Sequence, residues 1–175
     1  MRQLIFTLKY LSNTINRFKI LVIAVSSSLL MYSFSNIEDT TNVKCMIQMT
    51  NYEGFGAYII ISLINPEGDY EDTLYVQGKD KEWYNELSKW WRFYGKIRNN
   101  IDAITGETIR GGERTVSMIK IPSDKIDKGY SVRFESSVED QKYYTKDIQF
   151  ELNSKNINTK IEGTGFIRYI RMISN

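Results

Sequence analysis

The chain has 175 residues, 42% of them hydrophobic, which is enough for one domain with a core and too apolar for a disordered chain. It has no histidine and one cysteine, Cys45, which rules out an internal disulfide, imidazole metal ligands and any Ser/His or Cys/His couple. Arg2, Lys9, Arg17 and Lys19 are the only charges before Glu38, so residues 36–175 hold 19 of the 23 basic residues against all 21 acidic ones, a balance that argues against a nucleic-acid partner.

Residues 1–35 read as a secretory signal peptide or an uncleaved signal anchor. A basic stretch ends at Lys19, and the apolar run ILVIAVSSSLLMYSF follows, too short for a comfortable membrane span. Ser33-Phe34-Ser35 before Asn36 has the small-x-small form of a cleavage site. The protein is therefore expected in the periplasm or another extracytoplasmic space, free or held at the inner membrane by this segment. Residues around Cys45 do not suit lipid attachment. Residues 36–42 read as a short tether and 43–175 as one domain.

Strands dominate that domain. Val43, Cys45, Ile47 and Met49 alternate on one side of a half-buried strand, with Cys45 facing the core. YIIISLI, 58–64, is a continuous apolar run, as expected of a strand covered on both faces. A turn at Asn65-Pro66-Glu67-Gly68-Asp69 leads to a strand over 72–77. Trp83, Leu87, Trp90, Trp91 and Tyr94 then fall at i, i+4, i+7, i+8 and i+11, one face of a helix over 83–94 with Asp80 as its cap and Gly95 as its end. That aromatic face, with Trp83, Trp90 and Trp91, either packs on the sheet or leaves an indole for a flat ligand.

A polar, glycine-bearing turn follows over 98–112, read as a long hairpin-type connection. Asp102, Thr105, Thr108, Arg110 and Glu113 are its candidate binding groups. Strands are expected over 115–121, 130–137 and 143–152, and a last hairpin over 159–173. Glu135 and Glu139 read as a solvated edge rather than a calcium site, since calcium takes six or more oxygens. About eight short strands and one aromatic-rich helix inserted between them make the fold mainly β, an immunoglobulin-like antiparallel β-sandwich.

Four pieces of the chain carry a family resemblance: YIIISLINPEGDYEDTLYVQG, LSKWW, DAITGETIRGGERTV and IPSDKIDKGYSVRFESSVED. In this order they resemble a bacterial family of predicted periplasmic proteins, domain of unknown function 2271. The resemblance implies export, no established enzyme activity, and an association with PepSY-type membrane proteins in iron or flavin-linked redox systems. Asp102 to Thr108, DAITGET, also resembles the acceptor motif of FMN-binding domains, in which the final threonine carries the flavin. That would place FMN on Thr108, with Asp102, Thr105 and Gly106 shaping the turn. Glu107 departs from the motif, and its charge would repel the FMN phosphate unless Arg110 offset it.

Together these features indicate an exported, non-enzymatic binding or accessory protein without metal or cofactor, its partner a membrane redox or metal-uptake protein. The alternative is a covalent FMN carrier flavinylated at Thr108. A third reading, hydrolysis by Asp102 and Glu113, needs the two carboxylates facing across a cleft.

Overall fold

β1, Thr40–Met49, is the strand that organises the first sheet; from Asn42 to Met49 it alternates open and buried side chains. Val43, Cys45, Ile47 and Met49 point into the core and Lys44 points out, as the alternation requires. The strand begins at Thr40, inside the stretch read as a tether. The computed structural model describes residues 39–97, 101 and 104–174, all within one compact unit, Asp39–Asn175. The expected signal segment and Asp102 lie outside the described residues.

The strands that follow are β2 (Tyr58–Ile64), β3 (Tyr70–Gln77), β4 (Thr105–Gly106), β5 (Arg114–Pro122), β6 (Ser131–Ser137), β7 (Tyr143–Glu151), β8 (Lys160–Glu162) and β9 (Ile167–Ser174). They form a four-stranded sheet ordered β5-β1-β9-β8 and a five-stranded sheet ordered β4-β3-β2-β6-β7. One apolar core draws on both sheets, including Cys45 and Ile47 of β1, Ile59 and Ile61 of β2, Phe134 of β6 and Ile170 of β9. The expectation of a mainly β protein with two sheets around one core is met. The strand order is another matter: β1 neighbours β5 and β9, whereas the first strand of an immunoglobulin constant domain neighbours the second.

β2 is buried from Ile59 to Ile64 on both faces. Its inner face meets the other sheet. Its outer face carries Ile60, which joins Val76, Tyr84, Leu87, Trp90 and Ile101 in a second core beneath the helical segment. An unbroken apolar run is the sequence signature of a strand covered in this way.

The helical segment differs from the expected single helix. Lys81–Glu86 is a 3-10 helix, Leu87 breaks it at φ −75, ψ 54, and an α-helix, α1, runs over Ser88–Ile97. Tyr84 explains the break: its ring is buried and its hydroxyl donates to the Gly78 carbonyl at 2.9 Å, which holds the first turn tight against the end of β3. Asp80 makes no side-chain capping bond, and α1 continues past Gly95, where an added Cβ would meet only Trp91 at 3.6 Å.

The connection after α1 is not a hairpin. β4 pairs parallel to β3, Val76 with Thr105 and Gln77 with Gly106, so β3, helix and β4 form a crossover along the sheet edge. β6 is also more enclosed than an alternating strand: Val132 to Ser137 are all buried, Arg133 and Glu135 included.

Candidate functional site

The turn after β4 is tied to the sandwich at its base. Ile109 is buried and bridges Ala57 in antiparallel fashion. The Tyr52 hydroxyl donates to the Ile109 carbonyl at 2.7 Å and accepts from the Ala57 amide at 2.9 Å. Farther along, the Gly112 amide donates to the Thr50 carbonyl at 2.8 Å, and the Gln48 side-chain amide donates to the Gly112 carbonyl at 2.9 Å. Gly111 is required here, since a Cβ would stand 2.0 Å from the Tyr52 carbonyl oxygen.

On this base the sequence-predicted residues take different places. Thr105 lies in β4 and is half-buried. Thr108, Arg110 and Glu113 are exposed. Thr108 packs over Gly56, where a Cβ would fall 2.5 Å from its hydroxyl oxygen. Arg110 and Glu113 are brought together: the Arg110 amide donates to a Glu113 carboxylate oxygen at 2.8 Å, and the Glu113 amide donates to the Arg110 carbonyl at 3.1 Å. The Glu113 carboxylate thus closes its own turn. Glu107 is paired with Lys79 at 2.5 Å, and its carbonyl accepts from the Gln77 side-chain amide.

The aromatic face packs on the sheet. Trp90 is buried, its indole N–H donates to the Thr73 hydroxyl at 2.9 Å, and its ring stacks on Tyr94 with centroids 4.8 Å apart. Trp83 and Trp91 are half-buried. Of the three indoles, Trp90 therefore has no face left for a ligand.

Two buried carboxylates were not legible as special. Glu135, expected on a solvated edge, is 0% exposed and lies beneath α1. Tyr70 donates to one of its oxygens at 2.5 Å and Tyr143 to the other. Burial pushes the Glu135 carboxyl above its ordinary value, against the pull of both tyrosine hydroxyls and Arg133, and it pushes both phenols up as well. Arg133 places its guanidinium 5.1 Å from the Tyr70 ring centroid and donates to the Gln149 side chain at 2.9 Å. Glu139 is half-buried, and no group of three metal-ligating acids, cysteines or histidines occurs among the described residues. The one signal in the sequence was Arg133 and Glu135 alternating in a strand otherwise made of apolar and small residues.

Asp147 is the second. Its Oδ1 accepts from the Thr164 amide at 2.9 Å and the Gly165 amide at 2.7 Å; its Oδ2 accepts from the Ile167 amide at 2.9 Å and the Ser136 hydroxyl at 2.5 Å. It fastens β7 of one sheet to the chain entering β9 of the other.

A family model described as "Predicted periplasmic protein (DUF2271)" matches residues 40–169. Neither the curated proteins nor the solved structures contain a match. No helix of the described residues is long and apolar enough to cross a membrane.

Proposed function

Because the chain belongs to the family of predicted periplasmic proteins of unknown function matched over residues 40–169, we propose that it works outside the cytoplasm as a non-catalytic accessory module. The turn from Thr108 to Glu113 is its contact. Its partner is a PepSY-type membrane protein of redox or metal-uptake metabolism. The observation that carries this reading is the exposure of Thr108, Arg110 and Glu113 on a backbone already fixed by Tyr52 and Thr50. A contact surface ordered before binding loses little conformational entropy on association. The test is co-purification of the full chain with such a membrane protein from detergent extracts. Arg110→Glu should abolish the complex, and a complex indifferent to Arg110→Glu rules the turn out.

A second reading has one observation in its favour. The Lys79 ammonium sits 2.5 Å from the Glu107 carboxylate and offsets the charge beside exposed Thr108, the position an FMN acceptor would take. Co-expression with a flavin transferase should then add the mass of esterified FMN, and Thr108→Ala should remove it. An unchanged mass rejects the carrier reading.

A further inference from the structure

We infer that the groove between α1 and the start of β3 is an anion-binding site for a small phosphate-bearing molecule. Lys89, Arg92 and Lys96 recur at i, i+3 and i+7, so they follow one side of α1. With Asp69, Tyr70 and Phe93 they line a shallow groove of about 400 Å³ that is widely open to solvent. Asp69 is the only acid on the lining. Residues 36–175 carry more acidic than basic groups, so the groove runs against the charge of the body around it.

The floor of the groove is formed by packed rings. Phe93 stacks on Tyr70 with ring centroids 5.3 Å apart and planes 17° from parallel. The Tyr70 hydroxyl is pinned by Glu135 at 2.5 Å. Arg133 approaches the same ring, adding a cation on the sheet side. Lys89 is held below its ordinary pKa by desolvation; Arg133, Lys146 and Arg92 repel its charge further, and the buried Glu135 carboxylate offsets this only in part. A dianionic oxyanion would relieve that repulsion. The planar fork of Arg92 suits two phosphate oxygens, while Lys89 and Lys96 act as point charges on either side. The Phe93 ring offers an apolar surface to whatever the phosphate is attached to.

The same chemistry occurs on a soluble phosphate monoester and on a phospholipid headgroup, so the test has two arms. The full chain is titrated calorimetrically with phenyl phosphate, and separately its sedimentation with phosphatidylglycerol vesicles is measured. Arg92 and Lys96 are exposed, so Arg92→Gln with Lys96→Gln leaves the core intact. Lys120→Gln with Lys155→Gln, also at exposed positions, removes the same charge elsewhere. Saturable phenyl phosphate binding that weakens at least about tenfold in the groove variant, and not in the control, supports the site with a soluble ligand. Vesicle binding lost only in the groove variant supports it with a headgroup. Absence of binding in both arms, or equal loss in both variants, overturns it.

Discussion

Tyr70 and Glu135 share a 2.5 Å hydrogen bond although their strands are not neighbours: β2 lies between β3 and β6. The bond runs across the outer face of the sheet, in the second core beneath α1. Tyr143 of β7 holds the other carboxylate oxygen, so one acid joins three strands, β3, β6 and β7.

That acid makes stability depend on pH. Its folded pKa lies above the ordinary 4.5, so between 4.5 and the raised value the folded chain binds more protons than the unfolded chain. Stability from this group is full below 4.5 and is lost as pH rises through the folded pKa. Urea denaturation at a series of pH values should show this fall in the parent chain and its absence in Glu135→Gln. Parallel curves for the two proteins would contradict the assignment.

Asp147→Ala should be among the most damaging single substitutions. It leaves the Thr164, Gly165 and Ile167 amides and the Ser136 hydroxyl without their acceptor. The expected loss is about 3 kcal/mol, since stranded buried donors cost roughly 1–3 kcal/mol each and partial relaxation recovers some of it. Hydrogen exchange should quicken at the three amides. A loss under about 1 kcal/mol would mean that water replaces the carboxylate.

Cys45 should be inert in the native protein. It is fully buried in β1, and burial pushes its thiol pKa up to about 12. The thiolate is the reactive form, so an aromatic disulfide reagent at pH 8 should label the chain only after denaturant is added. Rapid labelling without denaturant would show β1 opening from its partners.

Thr73→Val separates hydrogen bonding from packing at Trp90. The valine keeps the volume but removes the acceptor 2.9 Å from the indole N–H, for an expected cost of about 1–2 kcal/mol. Trp90→Ala empties the middle of the second core and should cost about 3–5 kcal/mol. Thermal or urea melts read both, and equal losses would mean that the indole N–H carries the site.

The strands were legible where one physical cause dominated. β1 alternates because one face meets the core, and β2 does not because both faces are covered. The aromatic spacing marked the helix but not its break at Leu87, because the Tyr84–Gly78 bond that tightens the first turn is a tertiary contact. Exposure of the turn at Arg110 and Glu113 followed from its polar composition, whereas the mutual bonding that uses up the Glu113 carboxylate did not. Glu135 and Asp147 were hidden for a related reason. Their donors come from distant segments, Tyr70 in one case and Thr164 to Ile167 in the other, and no local pattern announces such partners.

The double cover on β2 also governs how this chain can drift. From Ile59 to Ile64 every side chain is enclosed, so a replacement at any of those positions has to be accommodated by neighbours on one side or the other. In β1 the exposed Asn42 and Lys44 can change without disturbing anything inside. Substitutions inherited over time will accumulate on the open side of the first sheet, and the middle of the second will lag behind.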